Sequence, residues 1–372
     1  MNIDRINKTL VELCEIPSPS KCERPVADYI LTRISALGLD VLEDSAGADL
    51  DGDTGNLVVR VDGKGPSPLL LTAHMDTVMP IDGLPDRINV EISDGIVHTD
   101  RNSILGADDK AGIAIALELL HYRIETVDNL CPLEIVFTVQ EEIGARGAAY
   151  LDKKSISAEQ GFVLDGDTPV GTVIVRAPHK FRYDMVVRGV AAHAALEPEK
   201  GINAIGAMSS VVNALPCGRI DNNTVTNYGI VHGGSATNVI PDRVDLVGEL
   251  RGHDLEKVQY VRNQIEETTD HILDDTRASA EIIWTALYPG YNVSLDELCI
   301  QCFVSACNKL DMKVDYITTD GGGDANPLNG AGITCVPFGL GMRAIHTNQE
   351  HIKLADLHHA FHLLLECVTV RF

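Results

Sequence analysis

His74 and Asp76 stand two residues apart, directly after the apolar run Leu69–Ala73. On an extended segment, residues two apart project to the same side, so both side chains can face one site. A histidine that binds metal commonly has its second ring nitrogen held by a carboxylate or a carbonyl. The spacing therefore suits His74 as a ligand and Asp76 as the group that orients it. Taken alone, His-x-Asp is equally well explained by a strand-end hydrogen bond. Asp108 and Asp109 follow Gly106 where a helical pattern begins, a place where one Asp is a routine cap. The run Gly-Ala-Asp-Asp-Lys-Ala-Gly holds more acid than a single cap needs.

Glu141 and Glu142 end the apolar run Leu133–Val139. Adjacent residues at a strand end aim in different directions, so one can bind metal while the other faces a substrate. Carboxylates that close together also disfavour joint ionisation, which helps one of them hold a proton. Asp165 ends the run Phe162–Leu164, and His346 lies in a glycine-bounded loop after Thr334–Phe338. Each of these is unremarkable singly. Together, His74, Asp108, Glu142, Asp165 and His346 put metal-competent side chains at strand ends and helix starts, where open α/β sheets gather their ligands.

The elements that must position them alternate in type. Two amphipathic helices, Asp4–Cys14 and Glu23–Leu37, flank the breaker Pro17-Ser18-Pro19. Strands follow at Asn56–Val61, Leu69–Ala73, Leu133–Val139 and Phe162–Leu164, with a helix from Asp108 through Leu120 between them. The continuous apolar runs are the pattern of central strands covered on both faces. After Asp165 the texture becomes α+β: strands at Val173–Val175, Tyr183–Val187, Val225–Val231 and Arg243–Arg251, helices at Ile202–Leu215 and Leu255–Leu273. Helix–strand alternation resumes from Leu295 and ends in a helix over Lys353–Val368. The fold expected is α/β, a central mixed sheet flanked by helices, built from residues 1–176 and 287–372. An α+β domain over residues 177–286 is inserted into it.

With 54 acidic against 30 basic residues the net charge is −24, so nucleic acid and anionic membrane surfaces are expected to be repelled. No run of about 18 apolar residues and no leader-like start is present, and the nine cysteines are scattered, which together lead us to expect a cytoplasmic protein. Cys299 and Cys302 form one CxxC within a helical pattern and are expected to pack in a core.

The order and spacing of these residues resemble the M20 family of metallopeptidases, especially its peptidase T (tripeptidase) branch. The motifs are Ala73-His74-Met75-Asp76-Thr77-Val78, Gly106 to Gly112, Glu141-Glu142-Ile143-Gly144, Leu164-Asp165-Gly166, Gly233-Gly234 with Asn238-Val239-Ile240-Pro241, and Gly339 to His346. The resemblance implies a zinc-peptidase-like catalytic domain with two divalent metal ions. His74, Asp108 and Asp165 would hold one ion and Asp108, Glu142 and His346 the other, with Asp108 bridging. Asp76 would orient His74, and Glu141 would be the general base that passes a proton from water to the leaving amine. Two cations about 3.5–4 Å apart acidify a water and polarise a carbonyl, in keeping with this chemistry. Zinc suits the mixed donors, with cobalt or manganese as alternatives.

The inserted domain resembles the family's lid and dimerisation domain, which implies a homodimer. Ala192-His193-Ala194 looks like the lid motif whose histidine reaches an active site, and Asn238 and Arg251 resemble its substrate-binding positions. Arg251 at a strand end is equally consistent with a structural ion pair. The implied activity is release of the N-terminal residue from short peptides. The alternatives are an M20 carboxypeptidase, an N-acyl amino acid deacylase, or an inactive peptide-binding protein on the same fold. The M42 peptidases share sequences like Glu141 to Gly147, but carry their extra domain between the first histidine and the bridging aspartate. Here only a hairpin-like stretch separates His74 from Asp108.

Overall fold

The computed structural model describes residues 1–65, 67–79, 83, 85–126 and 129–369. The chain divides into two compact units. One comprises Met1–Arg176, Asn292–Thr319 and Gly323–Phe372, the other Ala177–Tyr291 with Asp320–Gly322.

The first unit is built on a mixed sheet whose strands run in the order Val41–Glu43, Leu57–Val61, Leu133–Thr138, Leu69–His74, Gln160–Gly166, Thr334–Gly339 and Thr172–Ala177. Four neighbours, Leu133–Thr138, Leu69–His74, Gln160–Gly166 and Thr334–Gly339, are parallel. Their C-terminal ends therefore lie along one edge. The first two are buried at every residue, as their unbroken apolar sequence requires of strands with both faces covered. The helix Ala107–Glu125 is buried from Ala107 to Leu120. It is seated close to the sheet through Gly112, where a Cβ would stand 2.2 Å from the Leu164 carbonyl oxygen. The first helix, Ile3–Cys14, buries Ile6, Leu10, Leu13 and Cys14 on one stripe, and its Asn2 side chain caps the N–H of Arg5 at 3.1 Å.

Between His74 and Asp108 the chain forms the hairpin Val90–Ser93 and Ile96–Thr99. Asp94 and Gly95 both have positive φ in its tight turn, as a two-residue hairpin loop prefers. A third strand, His351–Lys353, pairs with Ile96–Thr99 from far along the sequence. It takes the first residue expected for the last helix, which spans Leu354–Val368. Cys299 is buried in the helix Leu298–Lys309. No helix among the described residues is long and apolar enough to cross a membrane.

The second unit is an antiparallel sheet ordered Gly218–Asp221, Thr224–Gly233, Arg243–Gly252, His179–Arg188 and Ser279–Tyr288. The helices Ala204–Ala214 and Leu255–Asp274 pack on it, and Tyr183, Met185, Leu246, Leu250, Val261 and Ile265 form the centre of its core. Burial alternates along Arg243–Gly252, the signature of a strand with one covered face. The structure adds a strand, Ser279–Tyr288, to those expected from the sequence. It is an edge strand that alternates exposed and half-buried residues from Ser279 to Thr285, and it keeps the chain in the second unit up to Tyr291.

Candidate active site

The parallel strands deliver their terminal residues to one place. His74 closes its strand with Nε2 3.0 Å from Asp108 Oδ1, 3.7 Å from Asp165 Oδ1 and 4.0 Å from Glu141 Oε2. The other oxygen of Asp108 faces His346, whose Nε2 lies 3.2 Å from Asp108 Oδ2 and 3.1 Å from Glu142 Oε2. One carboxylate thus stands between two imidazoles. Ligand atoms of His74, Asp108 and Glu142 lie within 4.8 Å of one another, as do those of His74, Asp109 and Asp165.

Asp109 has another task. Its Oδ2 accepts the backbone N–H of His74 and its Oδ1 that of Gly112, both at 3.1 Å. It caps the regular part of the helix, since Asp108 and Asp109 themselves have non-helical dihedrals, and it fixes the end of the neighbouring strand. With both oxygens engaged by backbone, it supports the site while Asp108 faces the imidazoles.

Asp76 also does more than its spacing suggested. Its Oδ1 lies 3.5 Å from His74 Nδ1 and accepts the N–H of Glu141 at 2.9 Å, while Oδ2 accepts the N–H of Glu142 at 3.2 Å and the hydroxyl of Ser20 at 2.6 Å. His74 Nδ1 is 2.9 Å from the Asp76 carbonyl oxygen. A carbonyl only accepts, so Nδ1 carries the proton and Nε2 presents its lone pair to the cluster.

Glu350, Asp324 and Gly323 support the site from outside the motifs. Glu350 is buried and accepts the N–H groups of Leu105, Gly106 and Asp108 at 2.9, 2.7 and 3.1 Å. It holds the turn that presents Asp108. Asp324, directly after the glycine cluster Gly321-Gly322-Gly323, is buried and accepts the Thr138 hydroxyl at 2.5 Å. Gly323 leaves room for the general-base candidate, because a Cβ there would be 3.0 Å from Glu141 Oε1 and 3.6 Å from Asp165 Oδ2. The glycine cluster was the one sequence signal for this wall of the site.

The electrostatics favour bound cations. Burial pushes the carboxyls of Glu141, Glu142 and Asp165 up, and nearby carboxylates add to the effect. Burial works against ionisation of Asp108 too, but contacts with His346 and His74 outweigh it and hold this carboxyl low. Burial likewise opposes a charge on His74, yet Asp108, Asp165 and Asp76 raise it well above its ordinary value. His346 is raised to about 10 by Asp108 and Glu142. A lone pair on His74 Nε2 facing an ionised oxygen is repulsive unless a proton or a cation intervenes. In addition, Glu142 Oε1 is buried without a hydrogen-bond partner, which an ion would supply. The donor set, imidazole nitrogens and carboxylate oxygens, fits divalent metals of the zinc class.

His193, Asn238 and Arg251 belong to the second unit. His193 is exposed and pairs with Val239, next to Asn238, whose carbonyl accepts the N–H of Ala194 at 3.0 Å. His193 Nδ1 accepts the N–H groups of Ala195 and Leu196, both at 3.2 Å, so Nε2 carries the proton if the ring is neutral. Arg251 lies on a different strand. Its Nε and Nη2 bond Glu249 at 3.0 and 3.2 Å and its Nη1 the carbonyl of Asp320 at 3.3 Å. The guanidinium of Arg251 is engaged in an intrachain ion pair, one of the two readings its position allowed.

Residues 180–277 match the peptidase dimerisation domain of the M20 peptidases, and residues 90–177 match the M42 glutamyl aminopeptidase family. A tripeptidase from Staphylococcus aureus subsp. aureus mu50 is 32% identical, with a TM-score of 0.91 over 99% of this chain and 98% of that one. The aminopeptidase PepT of Bacillus cereus ATCC 10987 is 31% identical, with a TM-score of 0.88 over 99% and 98%. An uncharacterized protein of Bacillus subtilis (strain 168), YqjE, is 34% identical over 359 residues, 96% of this chain and 95% of its own length. The second unit begins at Ala177, after Asp165, which is the M20 arrangement rather than the M42 one. The chain belongs to the M20 family of metallopeptidases, in its peptidase T branch.

Proposed function

We propose that this metallopeptidase is an aminopeptidase of tripeptidase type that releases the N-terminal residue of short peptides with a free amine. The observation that carries the reading is Asp108, whose two oxygens face His74 and His346 at 3.0 and 3.2 Å with Glu141 Oε2 4.0 Å from His74. This supports His74, Asp108 and Asp165 as holders of one ion and Asp108, Glu142 and His346 as holders of a second. Zinc is the ion we propose, with cobalt or manganese able to replace it. When bound, two such ions polarise a scissile carbonyl and acidify water. Glu141 removes the proton from the attacking water and delivers it to the departing amine. Asp76 holds the Glu141–Glu142 backbone and His74 in register for that transfer.

The second unit acts as lid and dimerisation domain of a cytoplasmic homodimer, with His193 and Asn238 contacting substrate. The Arg251 ion pair with Glu249 makes that residue the weakest of the three assignments. Mixing His193→Ala protein with Glu141→Gln protein tests action across a dimer. Activity regained by verified hybrids supports it, and none regained places His193 in its own subunit's site or outside catalysis altogether.

The direction of cleavage is tested with purified protein, stripped of metal and reloaded separately with zinc, cobalt and manganese. Free tripeptides should yield their first residue and the remaining dipeptide, and N-acetylation should abolish this. Rapid hydrolysis of N-acetyl amino acids with free tripeptides left intact would replace the aminopeptidase reading by a carboxypeptidase or deacylase one.

A further inference from the structure

The three-stranded sheet carries a row of side chains that the peptidase centre does not use. His351 is the direct cross-strand partner of His98, and His98 that of Glu91. Directly opposed residues share a face, with Cβ atoms roughly 4.5–5.5 Å apart, so the three side chains rise side by side. They line one cavity of about 460 Å³, together with Ser93 and Asp100.

Both imidazoles are set in the same tautomer. His98 Nδ1 is 2.8 Å from the carbonyl oxygen of Thr99, and His351 Nδ1 is 2.8 Å from that of Gln349. Because a carbonyl can only accept, both Nδ1 atoms carry protons, and in the neutral rings both Nε2 atoms carry lone pairs. A ligating histidine is fixed in this way, by donating its other N–H to a backbone carbonyl. The same device presents His74 Nε2 to the peptidase centre. His98 Nε2 lies 2.7 Å from the Ser93 hydroxyl, which serves as its donor. Glu91 is exposed, and its contact with Asn89 is long, at 3.4 Å.

We propose that His98 Nε2, His351 Nε2 and a Glu91 oxygen form a further site for a divalent cation of the zinc, nickel and copper class, separate from the peptidase centre. Imidazole nitrogens select these metals over magnesium or calcium. Binding displaces the Ser93 hydroxyl from His98 and rotates Glu91 inward. The ion ties the strand His351–Lys353 to the hairpin. It thereby braces Glu350, the residue just before that strand, whose carboxylate holds the turn presenting Asp108. Metal in excess of the peptidase centre then acts on the frame of that centre without touching its ligands.

Nickel uptake by protein stripped of metal, followed by calorimetry and by metal analysis after removal of loose ions, tests the site. The count that matters is the difference between parent and variant, which does not depend on how many ions the peptidase centre holds. The parent should bind one more nickel per chain than the His98→Ala/His351→Ala protein, and nickel should raise the melting temperature of the parent further than that of the double variant. His359→Ala, which removes an exposed histidine elsewhere, should leave the extra site intact. Glu91→Gln, on the exposed edge strand, should weaken it about tenfold in a protein that melts normally without nickel, which guards against misfolding of the double variant. Copper bound to the parent should show two imidazole nitrogens in its paramagnetic resonance spectrum. Equal nickel counts in parent and double variant, or a parent copper spectrum without paired nitrogens, overturns the proposal.

Discussion

Asp76 holds Glu141 by its backbone: the aspartate Oδ1 accepts the Glu141 N–H at 2.9 Å while lying 3.5 Å from His74 Nδ1. One carboxylate thus sets both the imidazole and the turn that carries the proton-transfer candidate. Asp76→Ala should lower kcat/KM about 10–100-fold and reduce bound metal less than His74→Ala does. Metal analysis beside steady-state kinetics separates the two; an Asp76→Ala enzyme with parental kcat/KM would show that the Glu141–Glu142 turn is fixed by other means.

Glu141 and His346 should fail in different ways. Glu141→Gln keeps the shape but cannot accept a proton, so turnover should fall by about 10²–10⁴ with metal retained. His346→Ala leaves Asp108 Oδ2 and Glu142 Oε2 without their shared imidazole and should lose part of the metal. Normal turnover by Glu141→Gln would remove it from the general-base role.

Gly323→Ala tests the space beside Glu141. A Cβ at 3.0 Å from Glu141 Oε1 is tighter than an ordinary contact, so the carboxylate must shift. Because positioning errors of this size cost rate more than binding, kcat should fall while KM and metal content change little. A parental kcat would mean that Glu141 has slack at this position.

Glu350→Ala should destabilise the protein by more than about 3 kcal/mol, since three buried N–H groups lose the acceptor they share. Denaturant unfolding measures this, and metal affinity should fall with it because the Asp108 turn is released. An unchanged midpoint would show that water replaces the carboxylate without penalty.

Metal-free protein should lose stability as pH rises from about 5 to 8. Burial raises Glu23 and Glu350 to about 7 and Asp324 to about 6. A carboxyl whose folded value is raised contributes most below its unfolded value, and the contribution disappears as pH climbs through the folded one. Thermal melts at intervals across this window should show a falling melting temperature. A rise instead would mean that these acids are ionised in the folded state.

The part of this arrangement legible from sequence is the part governed by local rules. Continuous apolar runs mark Leu69–His74 and Leu133–Thr138 as central strands, and chemistry-bearing residues at their ends follow from the parallel sheet. Glu350 is not legible, because Thr-Asn-Gln-Glu reads as solvated loop until the chain brings it beside Leu105, some 245 positions away. The dual role of Asp76 is hidden for the same reason: its partners at Glu141 and Glu142 are set by sheet order. Arg251 shows where local sequence leaves two readings open. A strand-end arginine suits a substrate or an ion pair alike, and the structure shows the ion-pair partner, Glu249, two residues earlier on the same strand and hence on the same side.

The discontinuity of the first unit fixes when the centre can exist. His74, Asp108, Glu142 and Asp165 are translated before the whole of Ala177–Tyr291, and His346 only after it. The strand Thr334–Gly339, which must slot beside Gln160–Gly166, is equally late. A nascent chain therefore carries its clustered carboxylates for more than a hundred residues of synthesis without the strand and the imidazole that complete the site. Pairings of such sequence separation form slowly. Maturation is thus ordered in time, with the inserted unit free to fold while the surrounding one waits for its last strands and for His346.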